Sequence, residues 1–343
     1  MTSSETTLER AEEMADGLFP DRTAKMRMLV IVNPYASTVS DRLKNLVVYA
    51  LQSRYAVTAV DTETPGHATQ ICRAAADEGY DVVVAFGGDG TLNEAVNGLA
   101  GSETPLTCLP GGATNVYCRT LGIPPDVVDA TEHLLRMADD FSPRRVDLGT
   151  VDDFSPRRVD LGMVDERHFA FSSGVGLDAS VVQRVDPHPK LKRRLGEYYY
   201  TYATISTFNR RYLVRPPRVR VQVGDEAADG VTCIVQNSDP YSYFGDRPIR
   251  ICEGAGFQTG SLGVTVLRRA TPVELPTLIP RVFSGRASTV AKGRQVASFG
   301  QVQEAVVSSL DGRPFPLQVD GEFVGEFESV RYGVRPRALC VVS

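Results

Sequence analysis

The sequence predicts an α/β plus β protein: an N-terminal doubly wound α/β domain followed by a C-terminal antiparallel β-sandwich domain. Three observations carry this expectation. Up to residue 138, short β-branched apolar runs alternate with stretches of helical spacing, the pattern of a parallel sheet covered by helices. Beyond residue 164 the apolar runs are short and separated by turn residues, the pattern of a sandwich. Two glycine-rich loops each follow an apolar run of the first half, at the sheet edge where open α/β folds bind ligands.

The elements follow in order. Met28–Asn33 is apolar enough to be a strand buried on both faces. Leu43, Leu46, Val47, Ala50 and Leu51 recur at helical spacing over residues 40–53. Tyr55–Val60 is a second strand and Ala68–Glu78 a second helix, with Thr64-Pro65-Gly66-His67 turning between them. Val82–Phe86 is a third buried strand, and Leu92–Leu99 continues as a helix. Leu106–Leu109 is a fourth strand, followed by Pro110-Gly111-Gly112-Ala113-Thr114-Asn115 and a helix to about Leu121. Asp126–Met137 closes this half as an amphipathic helix. In the second half, Phe169–Ser172, Arg218–Val223, Val231–Val235, Leu262–Leu267, Ala305–Leu310, Pro316–Val319, Ser329–Tyr332 and Leu339–Val342 read as strands.

The run Gly87-Gly88-Asp89-Gly90-Thr91-Leu92 carries the most chemistry. A strand, a glycine turn and a helix start present free backbone N–H groups and a helix dipole to an anion. Asp89 among them would repel phosphate oxygens unless a cation sat between, so the loop implies Mg²⁺ together with a nucleotide. The chain has no G-x-x-x-x-G-K-[ST] loop, and G-x-G-x-x-G fails at Asn93. A plain strand-to-helix turn with an aspartate cap is the competing explanation for so short a pattern.

Composition narrows the function classes. The 343 residues suit two domains, and 42% hydrophobic with 23% charged residues is ordinary globular usage. A net charge of −5 argues against nucleic acid as a partner. Six cysteines are scattered without a C-x-x-C pair and read as reduced core residues of a cytoplasmic protein. The polar first 27 residues hold no signal-peptide core, and no run of about 18 apolar residues offers a transmembrane segment. Membrane contact is therefore expected to be peripheral.

The domain junction carries a tandem repeat. Residues 139–151 are followed at once by the same residues as 152–164, with Met163 in place of Thr150. Only one copy fits a linking strand, and the second runs directly into Asp165-Glu166-Arg167-His168-Phe169, so it is assigned that strand. The expected division is a helical or frayed extension over 1–25, the α/β domain over 26–138, the duplication over 139–164, and a β-rich substrate domain over 165–343 whose last strand returns to the first domain.

Together these blocks resemble the soluble bacterial diacylglycerol kinase and sphingosine kinase-like lipid kinases. Gly87–Glu94 with Asn97-Gly98, Pro110–Asn115, Arg158-Val159-Asp160-Leu161-Gly162 or its earlier copy, Gly174–Ala179, and Gln318-Val319-Asp320-Gly321-Glu322 fall in family order over 28–343. The resemblance implies ATP-dependent phosphorylation of a lipid hydroxyl, with diacylglycerol the leading acceptor. It places ATP against Asn33, Thr64, Gly66, His67, Gly87, Gly88, Gly90, Thr91, Asn93, Glu94, Gly112, Thr114 and Asn115. It places Mg²⁺ at Asp89 and Asp160, and catalysis at Asp89, Asp320 and Glu322, with Glu322 favoured as proton acceptor and Asp320 orienting or sharing that role. Asn33-Pro34-Tyr35-Ala36-Ser37 lacks the glycines usual after Asn-Pro, Val116 replaces a frequent aspartate, and Gln258–Gly263 replaces acidic residues that hold a structural ion.

A lipid acceptor implies a membrane partner, at the inner face of the plasma membrane. Lys190–Arg194 with Tyr198, Tyr199, Tyr200 and Tyr202 offers cations and aromatics to such a surface, or else is a solvated helix with tyrosines packed inward. Two other functions stay open. One is a soluble-metabolite kinase related to NAD kinase, and the other a silent lipid-sensing protein. The acyl preference and the oligomeric state, a homodimer included, are not readable from the chain.

Overall fold

In the computed structural model, which describes residues 25–140, 156–185, 203, 206–207, 216–271 and 274–343, the first four apolar runs become parallel strands. These are β1 (Arg27–Val32), β2 (Ala56–Asp61), β3 (Val82–Gly87) and β4 (Leu106–Pro110), side by side in the order β2-β1-β3-β4. Inner strands β3 and β4 are buried at every residue, because helices cover both sheet faces. Those helices are α1 (Asp41–Leu51), α2 (His67–Asp77), α3 (Asp89–Leu99), α4 (Val116–Thr120) and α5 (Val127–Asp140). Ser40 caps α1 by accepting from the Leu43 N–H at 3.2 Å.

α3 begins at Asp89 rather than Leu92. Gly88 is its cap, so Asp89, Gly90 and Thr91 form the first helical turn instead of a loop. An aspartate there is favoured by the positive end of the helix dipole.

In the second half, β5 (Arg157–Val164) and β6 (Arg167–Phe169) form a hairpin, and β7 (Ser172–Gly176) leads into α6 (Leu177–Val185). The segment Phe169–Ser172, read as one strand, is broken at Ala170-Phe171, and its ends enter different sheets. The backbone N–H groups of Ala170, Phe171 and Ser172 turn instead to the Asp320 carboxylate.

The remaining elements are β8 (Val219–Val223), β9 (Glu226–Gly230), β10 (Thr232–Gln236), β11 (Ser242–Phe244), β12 (Arg247–Ile249), β13 (Leu262–Leu267), α7 (Leu275–Val282), α8 (Ala287–Ala291), β14 (Val296–Val302), β15 (Glu304–Ser309), β16 (Phe315–Val319), β17 (Glu322–Phe327) and β18 (Ser329–Val341). One sheet runs β14-β13-β10-β7-β16-β17. The other adds β18, β15, β8 and β9 beyond β4, with β5 and β6 branching from β18. Phe169, Val175, Val221, Val264, Leu317 and Tyr332 lie in the core that these antiparallel strands bury. An α/β half and an antiparallel β half thus share one continuous sheet.

The two final strands read from sequence are one. β18 carries an irregularity between Arg335 and Leu339 in its pairing with β5, which splits its apolar pattern without ending the strand. Its Val341 pairs in parallel with Leu106 of β4, while β5 and β15 pair with it antiparallel. Sequence reasoning also missed α6, α7, α8 and strands β9, β11, β12, β14 and β17, which are short or carry too many polar residues to alternate cleanly.

The second copy of the tandem repeat supplies β5. Residues 141–151 of the first copy, the N-terminal 24 residues, and the Lys190–Arg194 and Tyr198–Tyr202 segments lie outside the described residues. Deleting residues 139–151 rejoins Ala138 to Asp152-Asp153, which restores the same Asp-Asp end to α5. Loop length itself costs little. The deletion protein should stay soluble and melt within about 4 °C of the parent, roughly 1 kcal/mol for a chain of this size. An insoluble product would show that both copies are built into the fold.

Candidate active site

Two backbone loops meet at the carboxyl edge of β3 and β4. The Gly111 N–H donates to the Gly87 carbonyl at 2.8 Å, and the Thr38 N–H donates to the Gly111 carbonyl at 3.1 Å. A Cβ on Gly112 would lie 2.8 Å from the Gly88 Cα, so only a glycine permits this approach. Asn115 holds the second loop from both sides. Its Oδ1 accepts from the Gly112 N–H and its Nδ2 donates to the Gly112 carbonyl, each at 2.8 Å. Asn33 joins from β1, donating from Nδ2 to the Thr91 hydroxyl at 2.9 Å. The result is a cradle of backbone and small polar groups at the N-terminus of α3.

Two carboxylates stand over that helix end. Asp89 lies in its first turn and accepts from the Tyr117 N–H at 3.3 Å. Glu322 arrives from the start of β17, and a Cβ on Gly90 would lie 1.9 Å from its Oε1. The missing side chain at Gly90 is therefore the space Glu322 occupies. Arg167 flanks the pair, with its guanidinium 3.5 Å from the Glu322 carboxylate and donating to Asn93 Oδ1 at 3.0 Å. Sequence reasoning missed Arg167, which lies in a polar stretch with no motif around it.

Asp320 is held differently from Glu322. It is 1% exposed, in a left-handed turn with φ of 47°. Its Oδ2 accepts from Asn93 Nδ2 and the Ala170 N–H, both at 2.7 Å, and its Oδ1 from the Phe171 and Ser172 N–H groups at 2.9 and 3.0 Å. Burial pushes its carboxyl above the ordinary carboxylate value, against the pull of these donors. Each oxygen thus accepts two hydrogen bonds, and Asp320 lines the cavity beside Glu322. Asn93 and Asn97 extend the same lattice by donating to the His168 carbonyl.

From the cradle a cavity of about 1110 Å³ runs into the β domain. Its near end is lined by Asn33, Gly88, Asp89, Thr91, Gly112, Thr114 and Glu322, and its far end by Leu177, Val181, Val182, Ile234, Leu267 and Val290. Asp178, a half-buried carboxyl, also lines the cavity and accepts from Tyr241 Oη and, at 2.7 Å, from Gln318 Nε2. Burial raises its pKa, against both donors. The block Gly174–Ala179 was read from sequence, but Asp178 was not singled out within it, because neither of its partners is near in the chain.

Several expected ligands lie off this cavity. The Glu94 carboxylate accepts from the Gly66 and Ala68 N–H groups at 2.8 and 3.0 Å, so it caps α2 itself and takes the donors expected to meet phosphate. His67 Nδ1 accepts from the Glu63 N–H within the same turn. Thr64, Gly66, His67, Gly87, Asn93, Glu94 and Asn115 are not among the lining residues, and Gly87, Asn93 and Asn115 shape the cradle from behind. Asp160, expected at the metal, is 3% exposed and away from the cavity. Its oxygens accept from the Arg337 N–H at 2.8 Å and the Gly260 N–H at 2.7 Å, which fixes the irregular stretch of β18 to the turn before β13.

The sequence itself matches known families over both halves. Residues 27–151 match the diacylglycerol kinase catalytic domain, and residues 172–343 the YegS C-terminal NAD kinase beta sandwich-like domain. The chain belongs to the diacylglycerol kinase-like lipid kinase family. A diacylglycerol kinase from Staphylococcus saprophyticus is 24% identical over 308 residues, 88% of this chain and 90% of that one. A diacylglycerol kinase from Staphylococcus aureus strain JH9 is 34% identical over 131 residues, 36% of this chain and 40% of that protein. The crystal structure of a diacylglycerol kinase from Bacillus anthracis str. Sterne shares the fold at a TM-score of 0.62 and 17% identity, covering 94% of this chain and 98% of that one. A second structure from the same organism reaches 0.67 at 21% identity, with the same coverage.

Two outcomes follow for this lipid kinase-family site. Asp320→Asn replaces two acceptor lone pairs by an amide that faces backbone N–H groups. It should lower stability by about 1–3 kcal/mol, the cost of stranded buried donors. Chemical denaturation checks this, and an unchanged midpoint would mean the four donors do not hold the turn. The second concerns His168, whose imidazole is held below its ordinary pKa of 6.5, first by burial and then by Arg335. A depressed histidine contributes its stability in full above 6.5, and that stability is lost as pH falls below 6.5 toward the folded value. Between about pH 7.5 and about pH 5.5 the parent should lose more thermal stability than His168→Gln, and parallel losses would remove the assignment.

Proposed function

We propose that this protein transfers the γ-phosphoryl group of ATP to the hydroxyl of a membrane lipid, diacylglycerol, giving phosphatidic acid and ADP. The single observation behind this reading is the continuity of the cavity. It starts on a backbone cradle suited to phosphates and ends among Val181, Ile234 and Val290, which suit acyl chains. Relatives that are diacylglycerol kinases support the same acceptor.

The residues fit a polyphosphate with a divalent cation. Gly112 lets the second loop close on Gly88 beside the helix, and α3 turns its free N–H end toward the cavity. Among the described residues no three acidic, histidine or cysteine side chains converge as a metal cage. Asp89 would therefore hold Mg²⁺ jointly with phosphate oxygens, which is that ion's usual habit. When bound, the ion neutralises charge on the phosphates during transfer.

The remaining work falls to side chains. Glu322 accepts the proton of the lipid hydroxyl as its oxygen bonds to the γ-phosphorus and the bond to the leaving ADP oxygen breaks. Arg167 and the open space over Gly90 fix the Glu322 carboxylate at the helix end. Asp320 and Asn93 set the turn from which Glu322 projects. Apolar walls exclude bulk water from the transferred group. Because ATP is kept in the cytoplasm, the reaction belongs at the inner face of the plasma membrane.

The apolar far end weighs against a soluble acceptor such as NAD, and the paired Asp89 and Glu322 weigh against a silent lipid sensor. Labelled ATP offered with dioleoylglycerol, a sphingoid base or NAD separates the readings. Label should enter phosphatidic acid, and label in NAD phosphate alone would overturn the proposal. Glu322→Gln should cut turnover by about 10²–10⁴-fold while ATP affinity changes little, since a base acts on the acceptor. Asp89→Asn should remove both turnover and the Mg²⁺ dependence of ATP binding. Isothermal titration beside a radiometric assay reads each, and normal transfer by Glu322→Gln would place the base elsewhere.

A further inference from the structure

We infer that the β11–β12 hairpin, α7 and the turn into α8 form the face that docks on an anionic lipid bilayer. The inference deepens the lipid kinase reading and rests on it for its purpose, though the binding test below does not.

Phe244, Ile279 and Phe283 are 41%, 54% and 44% exposed, and they come from two elements far apart in sequence. The Phe244 and Phe283 rings meet edge to face at 5.5 Å. Of the other exposed large hydrophobic side chains among the described residues, Leu46 and Tyr49 share α1, while Tyr35, Val128 and Leu310 lie on other segments, so only this patch joins two elements. Isolated exposed apolar side chains are ordinary, but rings gathered across two elements in water need a partner.

The face is built rather than loose. Arg250, just past β12, bonds Asp239 at 2.8 Å and donates to the Gly285 carbonyl at 3.3 Å, which ties the hairpin to the turn that carries Phe283. On the other side, Arg119 of α4 stacks on the Tyr243 ring at 3.7 Å and bonds Asp246 at the hairpin tip.

Charge decides what the face meets. Arg247 on the hairpin and Arg286 past the turn are both exposed beside the apolar residues. Two nearby acids, Asp246 and Asp239, are engaged by Arg119 and Arg250. In a chain of net charge −5 this is a local cationic rim around aromatic side chains. That combination matches the anionic headgroup region, with rings at the interface and arginines on the phosphates.

The face also adjoins the cavity. Phe244, Leu278 and Val282 line it, and Phe244 is exposed as well, so the apolar compartment reaches the surface at this patch. A lipid drawn from the bilayer there reaches the apolar end without crossing bulk water.

The test uses the full chain, without ATP, sedimented with vesicles of phosphatidylcholine doped with phosphatidylglycerol and with pure phosphatidylcholine vesicles. Ile279, Phe283 and Arg286 do not line the cavity, so the triple variant Ile279→Gln, Phe283→Gln, Arg286→Gln should keep its melting temperature and its phosphorylation of dispersed dioctanoylglycerol. Its binding to anionic vesicles should weaken about tenfold or more, and added salt should reproduce part of the loss in the parent. If the triple variant does not fold, the pair Arg247→Gln and Arg286→Gln carries the test, with weaker binding expected on anionic vesicles alone. Equal vesicle binding by parent and variant overturns the inference. So does a parent that elutes as a dimer while the triple variant elutes as a monomer with unchanged vesicle binding, which would make the face a contact between copies. A parent that binds vesicles but phosphorylates no lipid leaves the docking face standing and removes the kinase reading.

Discussion

The site depends on one buried carboxylate. Asp320, in the turn joining β16 to β17, gathers four N–H donors from two places: the side chain of Asn93 on α3, and the backbone of Ala170, Phe171 and Ser172, which leads from β6 into β7. A buried charge is tolerated only when its oxygens are satisfied, and here each accepts two bonds. The contact joins the α/β half to the β half at the place where Glu322 must face the N-terminus of α3. Its geometry therefore sets the distance between the glycine cradle and the Glu322 carboxylate.

β18 performs the larger weld. It begins beside β15, runs along β5 and ends against β4, so residues at the end of the chain complete a sheet that starts at Arg27. Asp160 stabilises the one irregular place in that strand by accepting from the Arg337 and Gly260 N–H groups. A rigid shared sheet gives the cavity fixed walls, which phosphoryl transfer needs because most of its catalysis is positioning.

The polar and apolar ends of the cavity come from different physics. At the cradle, Gly90 and Gly112 lack side chains where neighbouring groups must approach, and each absent Cβ position is taken by another part of the site, the Glu322 carboxylate and the Gly88 Cα. In the β domain, side chains of α6, α7, β10 and β13 leave a lined space instead of a filled core. Asp178, Gln318 and Tyr241, linked by hydrogen bonds, line it as well.

The sequence by itself determined the strands and helices of the α/β half, the more apolar strands of the β half and the glycine loops. Their signals are local: apolar runs, helical spacing and turn residues act within a few positions of one another. It also brought forward Asp89, Glu322, Gly88, Gly112 and Thr114, which do line the cavity. Only the tertiary structure decided what the other polar residues do. Glu94 bonds to the start of α2, Asp160 to the β18 irregularity, and Asp320 to a broken strand, each through partners 26 to 177 positions away. A carboxylate carries no mark in sequence of whether its oxygens will meet backbone N–H groups or a ligand. That choice is made by burial and by the donors that distant segments bring to it.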